Sequence, residues 1–373
     1  MALAPRFYQV ASLAALTERG LARAEAAAAG CVIADPPLAF GQTDLADVPM
    51  DQQPGGTDWR ARPGGIPVSP AIRYTFDDAT VHGPEGVVTV GRYVVEPTLD
   101  HVWPPRAAAW RDGALWLACA QFTAFRVAEA EHLLHGNCRN YYHWLLDGLG
   151  RWSVCPTASF PCLLPWSGEP FQQAGPALVP GLAARGVTLG PGQAIEVRRL
   201  HWTTSLTGVG TQFHPALRRL GEAMRSSAPT TDRPALYVCR DDTANRPLRN
   251  EAAVMRLCAD RGFHIVRLAM LPVAEQAALF GGARRIVAPH GGGLGNLLFC
   301  RPGTKLLELQ MDRYVNWCFR RLAATMEVRY GCVIGCAEPR TEPGDGWVHS
   351  RAWSLGLDQL AAALDDPGFA LDE

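Results

Sequence analysis

The feature that most constrains the fold is a regular alternation of short apolar segments and helical segments near the carboxyl end of the chain. Strands that alternate with helices in this way form a parallel sheet with helices on both faces. The sequence therefore predicts an α/β fold with a Rossmann-like domain over residues 231–345. The predicted strands are 235–239, 263–268, 286–288 and 305–310, and the predicted helices are 250–262, 272–281 and 293–300.

The rest of the chain predicts a less regular organisation. Residues 8–30 have an alanine-rich helical pattern, whereas residues 72–127 contain short apolar runs bounded by Gly, Pro and Asp, which favour strands. Residues 228–234 resemble a linker. We expect an N-terminal helix and β-rich region at 1–129, an α/β domain at 130–230, the Rossmann-like domain, and a helix within 346–373 that packs back across a domain boundary.

Composition limits the partners and the compartment. The 373 residues are 48% hydrophobic and carry a formal net charge of −1, which gives no electrostatic reason to expect nucleic acid as a partner. No stretch approaches the roughly 18–20 apolar residues of a membrane span. The eleven cysteines are irregularly spaced, as expected for reduced thiols. We expect a cytoplasmic protein, able to act at the inner face of a membrane, of unknown oligomeric state.

A glycine-rich turn follows the predicted strand 286–288 and opens a helix. Glycines allow a ligand to approach the backbone closely, and N–H groups at a helix start attract anions. A diphosphate is therefore the expected ligand. The turn lacks the residues of a Walker loop or a dinucleotide fingerprint. A tight turn without a ligand is the alternative. The residues expected to bind are His290, Gly291, Gly292, Gly293, Leu294 and Asn296.

A second loop, 240–250, follows the strand 235–239 of the same predicted sheet. Its Arg240 and Arg246 could bind the same diphosphate, because guanidinium groups hold phosphate in a bidentate manner. In the alternative reading, these arginines pair with Asp241 and Asp242. Glu308 lies toward the end of the strand 305–310, where it could hold ribose hydroxyls or be an ordinary strand-end acid.

A helix that Asn140 could cap is predicted to run to about Trp152. It places His143 and Asp147 four residues apart on one face, where a histidine oriented by a carboxylate, or the carboxylate alone, could act as a general base. The alternatives are a surface ion pair and a buried histidine that is simply satisfied by its neighbour. Lone His214 is interpreted as structural or cleft-lining. The histidines show no zinc spacing, so we expect neither a metal nor another cofactor.

Three blocks in this order resemble glycosyltransferase family 61. They are Asn140-Tyr141-Tyr142-His143-Trp144-Leu145-Leu146-Asp147, then Tyr237-Val238-Cys239-Arg240 followed by Arg246, Asn250 and Glu251, and then Ala288 to Asn296 followed by Phe299, Pro302-Gly303 and Glu308. The spacing agrees across roughly residues 130–310. Asp241 departs from the pattern, because the family frequently has a second arginine there.

The resemblance implies a GT-B fold, in which two Rossmann-like domains face a cleft and the C-terminal one holds the nucleotide. It also implies metal-independent transfer with inversion, from a nucleotide sugar such as a UDP-sugar to a glycan or lipid-linked acceptor. Bacterial relatives act in capsular and other exopolysaccharide assembly. On this basis, 130–230 is the acceptor-side domain, and Asn140, Tyr142 and His214 line its cleft.

Two other functions remain open from the sequence. An epimerase or hydrolase of nucleotide sugars would use a similar diphosphate site with carboxylates. A non-catalytic nucleotide- or carbohydrate-binding protein is supported only by the missing basic residue at Asp241. The sequence does not identify the donor sugar, the acceptor or the linkage.

Overall fold

The protein forms two compact units, which are described here separately. Unit 1 comprises Met1–Gly30 and Ser69–Leu206, and unit 2 comprises Cys31–Val68 and Thr207–Glu373. Both contain strands and helices, so the predicted α/β class is confirmed. The computed structural model describes residues 3–34, 38–42, 65–99, 108–112, 114–121, 125–155, 159–165, 168–190, 192–210, 212–241, 243–339 and 351–370.

Unit 1 is built on an eleven-stranded sheet. With strands numbered along the whole chain, its order is β12-β11-β10-β13-β5-β6-β7-β1-β9-β8, and β2 pairs with β5. The first four strands in this order are mutually parallel. The strands are Leu3–Ala11 (β1), Arg23–Ala28 (β2), Ala71–His82 (β5), Val87–Val90 (β6), Tyr93–Val95 (β7), Ala108–Arg111 (β8), Ala114–Gln121 (β9), Phe125–His132 (β10), Cys162–Pro165 (β11), Gly186–Leu189 (β12) and Ala194–Thr203 (β13).

The helices of unit 1 are short. The α-helices are Leu13–Glu18 (α1), Pro170–Ala174 (α2) and Leu182–Arg185 (α3), the 3-10 helices are Glu96–Leu99, Leu149–Val154 and Gly175–Leu178, and His143–Gly148 is a π-helix.

The predicted helix at 8–30 is wrong. β1 reaches Ala11 and pairs with β7 and β9, and only Leu13–Glu18 is helical before β2 begins. Pairing with distant strands overrides the helical propensity of the alanines, which is a weak preference. The strands expected over 72–127 are confirmed for the described residues.

Unit 2 contains the predicted doubly wound sheet. Its order is β15-β14-β16-β17-β18-β19, with all pairs parallel except β18 and β19. The predicted strands between 235 and 310 are confirmed. The strands of the unit are Cys31–Ile33 (β3), Ile66–Val68 (β4), Ala235–Val238 (β14), His264–Val266 (β15), Arg285–Pro289 (β16), Lys305–Met311 (β17), Arg329–Ala337 (β18) and Trp353–Ser354 (β19).

Helices connect these parallel strands. The segment expected as a helix at 293–300 is a 3-10 helix, Gly292–Phe299. The α-helices are Leu217–Ser227 (α4), Glu251–Ala259 (α5), Val273–Gly282 (α6), Cys318–Thr325 (α7) and Leu357–Leu364 (α8), and the other 3-10 helices are Gly208–Gly210 and Leu268–Met270.

The C-terminal helix packs within unit 2. Leu360 and Leu364 of α8 join an apolar core that contains Phe263, and Phe369 stacks on Phe263 with ring centroids 6.2 Å apart. We expected this helix to pack back across a domain boundary, but it covers the unit from which it emerges. The predicted boundary at 230/231 also falls inside unit 2, since α4 belongs to that unit.

Among the described residues, no helix has both the length and the apolar character needed to cross a membrane.

Burial of His132 generates a prediction for unit 1. His132 ends β10, is 2% exposed, and its Nε2 donates to the Gly86 carbonyl over 2.7 Å. Burial lowers the pKa of His132 to about 3. Below its ordinary pKa near 6.5, the unfolded chain binds a proton that the native protein does not, so stability falls as the pH falls.

As the pH falls from 7 to 5, protonation of His132 in the unfolded chain should therefore lower the free energy of unfolding by about 2 kcal/mol. His132→Gln retains a side-chain donor for Gly86 without a titrating group. Urea unfolding at the two pH values should show a smaller loss in this variant than in the wild type or in the exposed-site control His264→Gln. An equal loss in all three proteins would contradict the assignment.

Candidate functional site

The strand order of the unit 2 sheet reverses at β14 and β16, which marks the carboxyl ends of these strands as the candidate ligand crevice. From β14 the chain crosses to β15 on one side, and then returns to form β16 on the other side of β14. Ligands of open α/β sheets bind where the strand order reverses in this way, beyond the carboxyl ends of the strands. The arginine-bearing loop follows β14, and the glycine-rich turn follows β16. The two predicted motifs therefore flank one crevice.

Arg240 connects these two motifs directly. Its Nη1 donates to the His290 carbonyl over 2.7 Å, and its Nη2 donates to the Asn245 carbonyl over 3.2 Å. Its main-chain N–H donates to Glu251 Oε1 over 2.7 Å, which ties the loop to the first turn of α5. The guanidinium is thus fixed at the carboxyl ends of both strands, where it can attract an anion.

Gly291 permits the close approach of the Arg240 side chain to the glycine-rich turn. A Cβ atom at Gly291 would lie 2.6 Å from Arg240 Nε, so a larger residue would displace the guanidinium. A Cβ at Gly293 would lie 2.8 Å from Leu268 Cδ1. Gly292 begins the 3-10 helix that the turn opens. The glycines thus bring the turn against its neighbours, as the sequence analysis expected.

Arg246 lies over an aromatic ring in the same unit. Its guanidinium carbon is 4.4 Å from the centroid of the Tyr314 ring, an arrangement with cation–π character. Burial lowers the pKa of Arg246. Its backbone has φ of 51°, and its carbonyl accepts a hydrogen bond from Trp353 Nε1 over 3.0 Å. The turn is therefore anchored to β19, and the side chain is held by Tyr314.

The acidic residues after Arg240 were the alternative partners of the loop arginines. Asp241 binds Arg267, outside that loop, with Oδ2 2.6 Å from Nη2, and Arg267 lowers the pKa of Asp241. Asp242 lies outside the described residues. Asp241 occupies the position where family 61 often has a second arginine. Its partner is Arg267, an arginine outside the loop.

His290 is oriented by a buried carboxylate. Its Nδ1 lies 2.6 Å from Glu308 Oε1 on the adjacent strand β17. Glu308 is fully buried, and its Oε2 accepts hydrogen bonds from the Tyr330 hydroxyl and, over 3.3 Å, from Gln310 Nε2. Burial lowers the pKa of His290, although Glu308 opposes this shift.

Several predicted donor contacts are sterically restricted. The Glu308 carboxylate is already occupied by side chains, so the geometry favours positioning of His290 over direct contact with a ribose. The side chains of Leu294 and Asn296 are fully buried, and Asn296 Nδ2 donates to Gln276 Oε1 over 2.8 Å. These two side chains hold the turn in place, so a donor could meet only the backbone there.

Unit 1 holds the predicted histidine–aspartate pair. His143 Nδ1 and Asp147 Oδ2 are 2.6 Å apart. The Asp147 side chain is 5% exposed and the His143 side chain is 18% exposed, so the histidine is the member that solvent reaches more readily. The Tyr142 N–H donates to Asn140 Oδ1 over 3.0 Å, but Tyr142 rather than the predicted Asn140 is the N-cap residue of the helix that begins at His143.

The helix that carries the pair differs from the expected α-helix. His143–Gly148 is π-helical, and Leu149–Val154 continues it as a 3-10 helix. π-helical turns are rare and occur frequently at functional sites. The His143–Asp147 contact forms even in this wider turn.

His135 is a neighbour that the sequence analysis missed. Its ring stacks on His143, with centroids 5.5 Å apart and planes inclined by 11°, and its Nδ1 accepts from the Asn137 N–H over 3.3 Å. One possible ligand atom from each of His135, His143 and Asp147 lies within 4.8 Å of the others. The sequence analysis predicted no strand just before His135, whereas the structure places it three residues after β10, at the carboxyl end of a strand in the parallel part of the sheet.

Two residues assigned to an acceptor-side cleft have structural contacts. Tyr142 is buried and meets His143 edge to face, with centroids 5.1 Å apart. His214 accepts from the Ala216 N–H over 3.1 Å, at the turn before α4, and lies in unit 2. The expected place of His214 in the same domain as His143 is therefore wrong, because α4 packs against α6 and the 3-10 helix Gly292–Phe299 of unit 2.

A cavity of about 550 Å³ lies at the opposite edge of the unit 2 sheet. It is bounded by the segments that precede β16 and β17, and three cationic residues line it, namely Arg284, Arg301 and Lys305. Lys305 Nζ donates to the Ala370 carbonyl over 2.5 Å, and Arg301 Nε donates to the Gly281 carbonyl over 3.0 Å. This cavity is at the amino ends of the strands, away from the crevice that the sheet topology favours.

Comparison with known families defines the class of the protein. Residues 141–307 match the family model described as Glycosyltransferase 61, a span that includes the His143–Asp147 pair, the Arg240 loop and the glycine-rich turn. The protein is therefore a glycosyltransferase. The match covers a little under half of the chain and supports the resemblance to family 61 that the three sequence blocks indicated. No curated protein matches the chain.

Proposed function

We propose that the protein is an inverting family 61 transferase that moves a sugar from a nucleotide sugar to an acceptor hydroxyl. The expected donor is a UDP-sugar, and the acceptor is a glycan or a lipid-linked sugar in the cytoplasmic assembly of a cell-surface polysaccharide. The observation that carries the proposal is the hydrogen bond between Arg240 and the His290 carbonyl. It joins the arginine loop and the glycine turn at the strand-order reversal.

We also propose a GT-B fold. The parallel β15-β14-β16-β17-β18 order of unit 2 supports a nucleotide-binding domain of this class. Support in unit 1 is partial, because β12-β11-β10-β13 are parallel but continue into antiparallel strands.

Arg240 and Arg246 are proposed to bind the donor diphosphate in unit 2. When the glycosidic bond to the diphosphate breaks, negative charge builds on the leaving phosphate oxygen. A fixed guanidinium stabilises that charge without needing to reorganise during the reaction. Arg240 fits this role best because its contacts with His290 and Asn245 hold it in advance.

His143 is the proposed general base in unit 1, and Asp147 is its orienting partner. With Nδ1–H donated to Asp147, the lone pair of Nε2 can accept the proton of an acceptor hydroxyl as its oxygen attacks the anomeric carbon. The buried carboxylate then stabilises the imidazolium that forms. The greater exposure of the His143 side chain favours this assignment over direct proton removal by Asp147.

The first prediction of this mechanism concerns Arg240. Arg240→Ala should lower kcat at least a hundredfold, since removal of one preorganised donor raises a barrier by about 3–4 kcal/mol. It should also weaken UDP binding about tenfold or more. Steady-state kinetics and calorimetric titration with UDP measure the two effects.

Arg249→Ala is the matched control for Arg240→Ala. Arg249 lies in the same loop, but it is exposed and ion-paired with Glu338, with Nε 2.9 Å from Oε1. Its loss should change neither quantity substantially. Equal effects of the two substitutions, or normal turnover in Arg240→Ala, would remove the donor-site assignment.

The second prediction concerns the histidine–aspartate pair. His143→Gln should lower kcat by a factor of roughly 10²–10⁴, the usual contribution of a general base, and leave UDP affinity unchanged. Asp147→Asn should lower kcat and alter its pH profile, because the amide cannot stabilise an imidazolium. The assays should compare transfer with reactions lacking acceptor, because an epimerase or hydrolase would form product in both. If His143→Gln retains full turnover, His143 is not the base.

The third prediction concerns metal dependence. We propose transfer without a metal, as the resemblance to family 61 implies, with Asp147 Oδ2 as the hydrogen-bond partner of His143 Nδ1 over 2.6 Å. Turnover should survive treatment with EDTA. If EDTA abolishes turnover, Mn²⁺ or Zn²⁺ restores it, and His135→Gln weakens that rescue, then His135, His143 and Asp147 bind an ion and the metal-free mechanism is wrong.

A further inference from the structure

The hydrogen bonds around Glu308 have a fixed direction. The Asn316 N–H donates to Gln310 Oε1 over 2.9 Å, which orients the Gln310 amide. Its Nε2 therefore faces inward, 3.3 Å from Glu308 Oε2 and 3.1 Å from the Tyr330 hydroxyl oxygen. The Tyr330 hydroxyl in turn donates to the same Glu308 oxygen. Glu308 thus acts as an acceptor toward these two neighbours, as an ionised carboxylate does.

This direction determines the tautomer of His290. His290 Nδ1 lies 2.6 Å from Glu308 Oε1, so an ionised Glu308 accepts a hydrogen bond from the imidazole and holds the proton on Nδ1. Burial lowers the pKa of His290, and the positive charges of Arg246 and Arg240 lower it further. A neutral ring with Nδ1 protonated has a lone pair on Nε2, which can accept a hydrogen bond but cannot donate one.

An acceptor nitrogen on His290, whose main-chain carbonyl accepts from Arg240, selects among the parts of a nucleotide sugar. Phosphate oxygens that carry no proton are also acceptors, so two lone pairs would face each other. A hydroxyl can donate its proton to Nε2. Arg240, which has donors only, has the opposite preference. The two neighbouring groups are therefore suited to different parts of the donor.

Resting on the proposed function, we propose that neutral His290 accepts a hydrogen bond from a ribose hydroxyl of the donor nucleotide through Nε2, while Arg240 binds the phosphates. Glu308 is then a positioning residue, which fixes the tautomer of His290 and does not contact the ribose. This assignment replaces two expectations from the sequence, namely that His290 binds the diphosphate and that Glu308 binds the ribose.

Binding of deoxynucleotides tests the hydroxyl contact. Calorimetry at pH 7.5 would compare UDP with 2′-deoxy-UDP and 3′-deoxy-UDP. Wild-type protein should lose about tenfold in affinity for one of the two analogues, the usual effect of an unpaired polar group in a site. His290→Phe should bind UDP and that analogue equally. Arg240→Ala, the control, should bind all three ligands more weakly and still discriminate between them.

The outcomes separate this inference from the proposed function. UDP binding to the wild type with no discrimination between UDP and either analogue would overturn the ribose contact but leave the donor site intact. If His290→Phe lowers the affinity for UDP-sugars but not for UDP, His290 contacts the transferred sugar. That result would overturn the ribose assignment. No binding of any of these nucleotides by the wild type would overturn both proposals.

Nitrogen-15 NMR of the imidazole tests the positioning role without a ligand. The His290 signals, identified by their loss in His290→Phe, should show a proton on Nδ1 and none on Nε2 at pH 7.5. Tyr330→Phe should retain this tautomer, because it removes one hydrogen bond and keeps the carboxylate. Glu308→Gln should allow the other tautomer, since an amide can donate to Nδ1. A wild-type His290 protonated on Nε2 would overturn the proposal even if both variants fail to fold.

Discussion

The crevice in unit 2 depends on a constraint of chain topology. The chain leaves β14 on one side to form β15 and returns on the other side to form β16, so the strand order reverses at the carboxyl ends of β14 and β16. The segments that follow these strands meet there, and the hydrogen bond from Arg240 to the His290 carbonyl joins them. The close approach of Gly291, the buried Glu308 and the orientation of His290 all depend on this arrangement.

Burial of carboxylate groups determines how the side chains around this crevice are hydrogen-bonded. A buried carboxylate needs donors, and Glu308 obtains them from His290, Tyr330 and Gln310. In unit 1, the buried Asp147 is paired with His143 in a similar way. In both units a carboxylate with little access to solvent orients a histidine that is more accessible. The two histidines nevertheless differ in their proposed roles, as a ligand contact in unit 2 and as a base in unit 1.

The sequence predicted the parts of the fold that local patterns control. The strands and helices between 235 and 310 followed from apolar runs and their spacing, and the meeting of Arg240 with the glycine turn followed from the rule for strand ends. The strand Leu3–Ala11 was missed because its partners lie far along the chain, in β7 and β9. The C-terminal helix was recognised, but its packing depended on contacts with Phe263 and its neighbours that no local pattern reveals.

The candidate site was predictable to a similar extent. The four-residue spacing identified His143 and Asp147 as a pair. The stacking of His135 on His143 depends instead on how the chain turns after β10. Glu308 was predicted to lie at a strand end and therefore to contact a ligand, but it is in the middle of β17. Its hydrogen bond with Tyr330 depends on the pairing of β17 with β18, which the sequence does not show. Sequence analysis thus identified the residue types but not which of them would be buried by their neighbours.

A crystal structure of the protein with UDP would test the central claim most directly. The account predicts density for the diphosphate at the carboxyl ends of β14 and β16, within hydrogen-bonding distance of the Arg240 guanidinium. Density in the cavity beside Arg284, Arg301 and Lys305, at the opposite edge of the sheet, would contradict it. Absence of UDP from the crevice at saturating concentration would contradict it equally.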